Sequence, residues 1–377
     1  MERLQTILFA LGLDLLFGDP PNRFHPVVLM GNWLSWGRRI APKNHRFWFG
    51  AAWTLLGIAT FSLPWHLIQR LFNRTTTKLR PPGPPKGGEK GQTPPFGGIK
   101  GGRQLGLRNT RPPSIPNPQS PVSSLQSPVS NLQSPISNYQ LPITILHSLL
   151  SVLALTSIFA YRNLRQSVLA VSQALAQNDL PEARRLTSWH LVSRDTSQLS
   201  AEEVAGAAIE SLAENITDSV TAPLMAYSLG GLPAAWAYRF TNTNDAMWGY
   251  RTPEFEQLGK FAARLDDALN WLPARLTGWA LVGAVRLNGR NSRHTAQVML
   301  DQHDRTDSPN AGWTMSAMAG ALDITLTKRG VYSLSGGSNA IDVAAMQQAI
   351  RLADTTVGII VTMLGLGLLA RWVGKKG

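Results

Sequence analysis

Long apolar stretches alternate with polar segments along the chain, and four of these stretches are predicted to be membrane helices. They cover residues 4–17, 47–67, 141–161 and 355–373. The stretch 141–161 contains no Asp, Glu, Lys or Arg over about 20 positions, enough to cross a hydrocarbon core of ~30 Å. Tryptophans within 47–67 are placed like the aromatic anchors of a membrane interface. The pattern therefore predicts a polytopic integral membrane protein.

Two further apolar stretches, 219–238 and 269–287, are weaker candidates for membrane helices. Gly230, Gly231 and Pro233 interrupt the first, and Pro273 and Arg275 lie in the second. Interrupted or charged segments at membrane depth are tolerated where they pack inside protein or line a cavity. The predicted fold class is all-α, with about 4–6 membrane helices.

The polar segment 162–209 has apolar residues at helical spacing and is predicted to form a soluble helical hairpin. Asn178 to Pro181 would make its turn, and Ser200, followed by Glu203, would begin the next helix. We expect this hairpin to be a loop of a membrane-embedded catalytic region that spans residues 141–377.

Residues 73–140 differ in kind from their neighbours and are predicted to be a disordered insert. They are rich in Pro, Gly and Ser, and Ser-Pro recurs every seventh position at 120–121, 127–128 and 134–135. Such a segment has too few large apolar groups to offset the entropy of ordering. Residues 1–72 would then form a separate group of N-terminal membrane helices.

The net charge of +13 does not indicate a nucleic-acid partner. Between residues 74 and 111, nine Lys and Arg residues face one acidic residue, with a single aromatic among them. Nucleic-acid binders usually interleave such charge with aromatics, whereas a basic linker suits a lipid bilayer with anionic headgroups. The absence of cysteine excludes thiolate metal sites, and the seven scattered histidines do not suggest a zinc site.

Glu210, Glu214 and Asp218 follow one another at intervals of four residues and predict a ridge of carboxylates along one helix face. Like charges on one face repel one another, and their burial is costly without a cation. A solvated helix face is the alternative, but the surrounding residues are unusually apolar, which favours a functional site. The available counter-charges are a bound metal and three arginines, Arg251, Arg264 and Arg275.

Two other motifs have both a structural and a functional interpretation. Asp19 and His25 lie in Gly-Asp-Pro-Pro and Phe-His-Pro-Val runs that form turns, or that hold a phosphate or a metal. Ser308 and Asn310 precede a helix of very small residues, which favours close helix packing or an anion at the helix start. The chain has no phosphate-binding P-loop, so a nucleotide would need a different cradle.

Together these motifs make the chain resemble the adenosylcobinamide-phosphate synthases, polytopic membrane proteins of cobalamin biosynthesis. The resemblance covers nearly the whole chain apart from the insert. After Leu326 the usual glycine-rich, Lys-Pro-containing segment is replaced by TKRGVYSLSGGSNAIDVAAM, so no role is carried over to that segment. The motifs are GDPP, HPV and MG within 18–31, RDT at 194–196, ESLAENxxDxxxAP at 210–223, NTxDxMxGYR at 242–251, RLDDxxNWxPARLT at 264–277 and SPNAGWxxxAMAGAL at 308–322.

The resemblance implies an ATP-dependent amide ligase in the cell (inner) membrane, with several membrane passes and a cytoplasmic active site. It would join aminopropanol phosphate, or a related amino alcohol, to a propionate of adenosylcobyric acid, giving adenosylcobinamide phosphate. ATP and Mg²⁺ would be required, because the transition state spreads negative charge over phosphoryl oxygens.

The resemblance also marks the residues for these roles, with the arginines on phosphates and four asparagines (215, 242, 270 and 310) on the amides of the corrinoid rim. Catalytic candidates are Glu210, Glu214, Asp218, Asp245, Arg264 and Asp267. Substrate- or phosphate-binding candidates are Asp19, His25, Asn215, Asn242, Arg251, Asp266, Asn270, Arg275, Ser308 and Asn310. Mg²⁺, which takes one or two carboxylates plus phosphate oxygens, would bind among Glu214, Asp218 and Asp267.

A membrane corrinoid-binding or transport subunit without catalysis is the competing hypothesis. Intramembrane carboxylates and broken helices also suit an ion-coupled carrier. The three arginine-bearing motifs beside the acidic ridge favour phosphoryl chemistry over transport.

Overall fold

A computed structural model of the chain describes residues 1–18, 25–78 and 134–375. Within these ranges the fold is helical apart from one short β-hairpin, and the predicted all-α class is confirmed. The helices are α1 (Glu2–Phe17), α2 (Pro26–Ile40), α3 (Arg46–Lys78), α4 (Ser134–Thr156), α5 (Tyr161–Ala176), α6 (Leu180–His190), α7 (Ala201–Ile216), α8 (Ala222–Trp248), α9 (Lys260–Leu287), α10 (Ser292–Gln302), α11 (Ala311–Leu322) and α12 (Val343–Val373). A π-helical turn (Thr217–Thr221) joins α7 to α8, and strands β1 (Thr325–Lys328) and β2 (Tyr332–Ser335) precede α12.

Of the 4–6 membrane helices predicted, three in the described part of the chain are long and apolar enough to cross a bilayer. They are Arg46–Phe72, Pro142–Ala176 and Val343–Val373. The predicted span 4–17 forms α1, but its 16 residues fall short of the ~20 that a bilayer requires. The weaker stretch 219–238 begins in the π-helical turn and continues in α8, and 269–287 lies inside α9; glycine, proline, hydroxyl and arginine residues dilute the apolar character of both.

The predicted interruption of α8 is present and lies at Gly231. This residue has φ 71° and ψ −160° inside an otherwise helical segment, two positions before Pro233. Positive φ is accessible to glycine without the steric penalty that a Cβ imposes, so the kink depends on this residue type. By contrast, α9 runs through Pro273 as a single helix.

Both margins of the predicted insert are helical in the structure. Helix α3 extends to Lys78 and α4 begins at Ser134, so 73–78 and 134–140 are helical rather than disordered. Residues 79–133, with most of the Ser-Pro repeat, lie outside the described ranges. Their disorder therefore stays a prediction.

The helical loop 162–209 forms the predicted pair α5 and α6, and its helix starts are capped as expected. Asp179 caps α6 by accepting a hydrogen bond from the Glu182 backbone N–H at 3.0 Å. Ser200 and Glu203 form a reciprocal capping box at the start of α7. The candidate span Pro142–Ala176 includes α5, so of this pair only α6 lies outside the candidate spans.

Helix α7 is the centre of the molecule. Every residue from Val204 to Ala213 is buried, and the helix packs against α5, α6, α11 and α12. Its small side chains let the neighbouring helices approach closely. The carboxylates that α7 carries are therefore held on a rigid support.

Helix α3 packs along α8 at a point where only glycine fits. A Cβ at Gly57 would overlap the Phe240 ring, which is fully buried. We expect Gly57→Val to lower the free energy of unfolding by about 1–3 kcal/mol through overpacking, measured by thermal or denaturant unfolding in detergent. Gly358→Val is the matched control in α12, because no atom lies within 4 Å of a Cβ there. Equal losses for both variants would contradict this packing.

The β-hairpin after Leu326 was not predicted from the sequence. Leu326 pairs with Leu334 across the antiparallel strands, and both side chains are fully buried. The Gln302 amide exchanges two hydrogen bonds with the Ser335 backbone, at 2.7 and 2.8 Å. The segment that departs from the expected family pattern is thus an ordered element packed against α7 and α11.

Candidate functional site

Four sequence motifs that lie far apart along the chain line one cavity of about 240 Å³, which we call the carboxylate cavity. Five of the six carboxylates predicted from the sequence line it, and only Glu210 does not. Its lining residues are Glu214, Thr217, Asp218, Asp245, Gly249, Arg251, Ala263, Asp266, Asp267, Asn270, Ala274, Asp307, Ser308, Asn310 and Ala311.

The predicted ridge follows α7 into the π-helical turn, where Asp218 lies. π-Helical turns inside α-helices are rare and are frequent at functional sites. A hydrogen bond of 2.8 Å from the Thr277 hydroxyl to the Thr221 hydroxyl ties the turn to α9. The turn thereby fixes Asp218 relative to the carboxylates of α9.

Asp266 is held in the cavity by two asparagines. Its Oδ2 accepts a hydrogen bond from the Asn270 amide at 2.9 Å, and its Oδ1 accepts a longer one from Asn242 at 3.4 Å. The Tyr238 hydroxyl donates to Asn270 Oδ1 at 2.9 Å. Asn242 and Asn270 therefore position Asp266, a different task from the predicted contact with corrinoid amides.

The motif at 308–313 joins the start of α11 to α9. The Asn310 amide donates to the Asp267 carbonyl at 2.8 Å, and its Oδ1 accepts from Arg275 at 3.3 Å. The Ser308 hydroxyl accepts from the backbone N–H groups of Asn310 and Ala311. This arrangement supports the packing interpretation of the motif, although Ser308 and Asn310 also line the cavity.

Arg275 is not among the residues that line the carboxylate cavity. Its guanidinium lies over the rings of Trp271 and Trp313, 4.3 and 4.8 Å from their centroids. It also donates to the Trp271 carbonyl at 2.6 Å. These contacts favour a structural role over the predicted phosphate contact.

A second cavity, of about 360 Å³, adjoins the first and carries positive charge; we call it the Arg264 cavity. Both cavities share Gly249, Arg251, Ala263 and Asp267. Two predicted counter-charges, Arg251 and Arg264, thus lie beside the carboxylates as expected. The complete lining is Trp248, Gly249, Tyr250, Arg251, Phe255, Glu256, Lys260, Ala263, Arg264 and Asp267.

A third cavity, of about 180 Å³, adjoins the carboxylate cavity at Glu214; we call it the Glu210 cavity. Here Glu210 Oε2 lies 3.5 Å from Arg194 Nη2. The complete lining is Leu191, Val192, Ser193, Arg194, Ala207, Glu210, Ser211, Glu214, Lys328 and Tyr332. The three cavities are thus neighbours in a series, with Glu214 lining the first pair and Asp267 lining the second.

Several residues of these cavities were not predicted from the sequence, among them Arg194, Lys260, Asp307, Lys328 and Tyr332. Arg194 belongs to the RDT motif at 194–196, but the motif does not indicate that Arg194 forms an ion pair with Glu210. Lys328 and Tyr332 come from the hairpin, whose segment departs from the expected family pattern. No spacing rule connects this hairpin to α7.

Two further predicted site residues lie elsewhere, and a third cannot be placed. Asp19 is outside the described residues. His25 caps α2, where its Nδ1 accepts a hydrogen bond from the Val27 backbone N–H at 3.3 Å. The Asn215 amide donates to the Ser211 carbonyl at 2.9 Å within α7. Neither His25 nor Asn215 lines any of the three cavities.

Burial raises the pKa values of the carboxyl groups in the carboxylate cavity. Desolvation is the largest cause and raises the pKa of Glu214 to about 7 and those of Asp218 and Asp245 to about 6. Mutual repulsion adds to this effect at Glu214 and Asp245, and the pKa of Asp266 is also raised well above its usual value. The carboxylates therefore lack enough positive charge nearby, which suits a site that receives a cation.

The donor set is compatible with Mg²⁺ held jointly by protein and substrate. In the described part of the chain, no three His, Asp or Glu side chains are grouped closely enough to hold a metal by themselves. Mg²⁺ usually binds one or two carboxylates together with substrate phosphate oxygens and water. The carboxylate cavity supplies the one or two carboxylates that such a jointly held Mg²⁺ ion needs.

The raised pKa of Glu214 predicts a specific pH dependence of stability. Its ordinary value is 4.5 and its folded value about 7, so between these values the folded protein binds more protons than the unfolded chain. The Glu214 contribution to the free energy of unfolding therefore falls as pH rises through that window. We expect Glu214→Gln to unfold at a higher temperature than the wild type above about pH 7, with the gain fading near pH 4.5. Thermal unfolding with a chelator present measures this, and a gain independent of pH would contradict it.

Comparison with known proteins gives a consistent result along the chain. A family model described as CobD/Cbib protein matches residues 7–80 and 128–356. The probable cobalamin biosynthesis protein CobD of Methanothermobacter thermautotrophicus is 36% identical over 98% of this chain and 99% of its own length. The cobalamin biosynthesis protein CobD of Dehalococcoides mccartyi is 32% identical over 89% of this chain and 87% of its own. No solved structure matches the chain.

Proposed function

Because the chain belongs to the CobD/Cbib family and has a role in cobalamin biosynthesis, we propose that it is an ATP-dependent amide ligase. It joins aminopropanol phosphate, or a related amino alcohol, to a propionate of adenosylcobyric acid and gives adenosylcobinamide phosphate. The observation that carries the proposal is the cavity series, in which buried carboxylates lie between two cavities that contain cationic side chains. The enzyme is a multi-pass protein of the cell membrane whose site faces the cytoplasm, where ATP is available.

The reaction needs ATP because a carboxylate is a poor electrophile. A propionate oxygen attacks the γ-phosphorus of ATP, the bond to the β-phosphate oxygen breaks, and ADP leaves behind an acyl phosphate. The amine nitrogen then attacks the acyl carbon, a C–N bond forms, and inorganic phosphate leaves. The proton lost by nitrogen passes to a base of the protein.

The Arg264 cavity is the site proposed for ATP. Its volume of about 360 Å³ falls in the ~300–1,000 Å³ range of small-molecule sites. Arg251, Lys260 and Arg264 supply positive charge for phosphates, and Tyr250 and Phe255 offer aromatic surface. Asp267 then lies at the junction where the γ-phosphate would meet the acyl substrate.

Of the three carboxylates predicted to bind Mg²⁺, Asp218 and Asp267 would hold the ion together with substrate phosphate, and Glu214 would stay free to act as a base. When bound, it supplies positive charge that offsets the negative charge of the phosphoryl oxygens. Glu214, with its pKa raised to about 7, is the residue proposed to receive the amine proton. Asp266, held by Asn242 and Asn270, supplies a carboxyl group in a fixed position.

Arg264→Ala is expected to raise the KM for ATP by about tenfold, because it removes a charge-assisted contact with phosphate. Steady-state kinetics with ATP as the varied substrate measures the effect. Arg185→Ala is the matched control, since Arg185 is an exposed arginine of α6 paired with Glu182. An unchanged KM for ATP would remove Arg264 from the nucleotide site.

A membrane corrinoid-binding or transport subunit remains the second candidate, since α8 is broken at Gly231 and an apolar cavity of about 520 Å³ lies among α3, α8 and α9. Release of ADP by the purified protein distinguishes the two. The ligase is expected to release more than one equivalent of ADP only when both corrinoid and amine are present. Corrinoid binding without ADP release would favour the second candidate.

A further inference from the structure

The Glu210 cavity carries both signs of charge in a small volume. Glu210 and Glu214 supply carboxylates from α7, whereas Arg194 and Lys328 supply cations from the α6–α7 connection and from β1. With about 180 Å³ it is smaller than the ~300 Å³ at which sites for drug-sized ligands begin. The cavity therefore suits a small molecule that carries one positively charged group and one negatively charged group.

Both kinds of charged group have hydrogen-bonding capacity that the fold leaves unused. Glu210 is 6% exposed and interacts with Tyr332, but its Oε1 is buried without a well-formed hydrogen bond in the described part of the chain. The same holds there for Nε of Arg194, whose one contact with Glu210 is long, at 3.5 Å. Buried groups of this kind are costly unless something pairs with them. A ligand with one ammonium and one anionic group would satisfy both.

The cavity is built on rigid support on both sides. Glu210 and Glu214 lie on the buried helix α7. The hairpin that carries Lys328 and Tyr332 is fixed by the buried Leu326–Leu334 pair, and Arg329 adds an ion pair with Glu203 of α7. A site on such elements holds its geometry before the ligand arrives, which favours specific binding.

We infer that the Glu210 cavity is the subsite for the amino alcohol phosphate, with the phosphate on Arg194 and Lys328 and the ammonium on Glu210 and Glu214. This inference rests on the proposed function and assigns one substrate within it. The orientation follows from Glu214, which also lines the carboxylate cavity. The amine is thereby placed at the junction with the acyl site, and its phosphate points away from it.

The assignment places the two phosphate-bearing substrates at opposite ends of the cavity series. ATP enters the Arg264 cavity and meets the acyl group at Asp267, whereas the amine donor meets it at Glu214. Arginines at one end therefore affect the binding of one substrate without affecting the other.

Lys328→Met tests the subsite, because it removes the charge and keeps most of the apolar stem of the side chain. We expect the KM for aminopropanol phosphate to rise at least about tenfold, as loss of a charge-assisted bond implies, while the KM for ATP changes less than twofold. The preference for aminopropanol phosphate over unphosphorylated aminopropanol should fall by the same factor. Arg185→Ala, remote from the cavity, should change none of these values.

Calorimetric binding of aminopropanol phosphate, without ATP or corrinoid, separates this inference from the proposed function. The subsite is supported if the wild type binds the compound and Lys328→Met weakens this binding at least about tenfold. This holds even if no ligation is observed, because absence of ligation would count only against the proposed ligase activity. The inference is overturned if the wild type does not bind the compound. It is also overturned if Lys328→Met leaves both binding and the KM for aminopropanol phosphate unchanged.

Discussion

Glu214→Gln is expected to lower kcat for amide formation by about 10²–10⁴-fold, the usual contribution of a positioned general base. Glutamine keeps nearly the same shape as glutamate but does not accept the amine proton. Glu214 has this role in the account because it lines both the carboxylate cavity and the Glu210 cavity. Steady-state rates with all substrates saturating measure the effect.

The matched control for this variant is Glu202→Gln, an exposed glutamate in the first turn of the same helix. It should retain the wild-type rate. Glu214→Gln should still release one equivalent of ADP in a single turnover, because activation of the propionate precedes proton removal. Turnover within a few-fold of the wild type would remove Glu214 from the reaction.

Asp267→Ala is expected to slow ligation at an earlier step, the activation of the propionate. Asp267 lies at the junction of the carboxylate cavity and the Arg264 cavity, where the γ-phosphate meets the propionate. Even a partner outside the first coordination sphere contributes about 10–100-fold to metal affinity, so the Mg²⁺ concentration for half-maximal rate should rise at least about tenfold. Rates measured across a Mg²⁺ titration test this.

Hydroxylamine trapping separates the two variants, since it converts an acyl phosphate into a stable hydroxamate. At a Mg²⁺ concentration limiting for the wild type, Glu214→Gln should form the hydroxamate at the wild-type yield, and Asp267→Ala should form much less. Asp301→Asn, an exposed aspartate of α10, is the control and should behave like the wild type. Equal hydroxamate yields from Glu214→Gln and Asp267→Ala would contradict the proposal that Asp267 acts in propionate activation and Glu214 in the later amine attack.

The features that the sequence predicted well depend on local spacing. Intervals of four residues place Glu214 and Asp218 along one continuous helical run, and the capping box at Ser200 needs only residues within one turn. The break at Gly231 follows from a glycine pair beside a proline. Such features are encoded within a few residues, so a single sequence is enough to find them.

The features that it missed depend on contacts between distant segments. The hairpin is stabilised by Gln302 and by its contact with α7, and neither is visible in the pattern of residues 325–335. Arg275 has the charge of a phosphate ligand but is turned toward Trp271 and Trp313. Residue type predicted the chemistry available at these positions, whereas tertiary packing determined which partner each side chain meets.

The central claim is that ATP activates a propionate for amide formation, and labelled substrate tests it most directly. Adenosylcobyric acid carrying ¹⁸O in its carboxylate would be incubated with aminopropanol phosphate, ATP, Mg²⁺ and the purified protein. We expect an amide product by mass spectrometry and one ¹⁸O atom in the released inorganic phosphate, with neither formed when ATP or the amine is omitted. Corrinoid bound without amide product, or product without label in the phosphate, would contradict it.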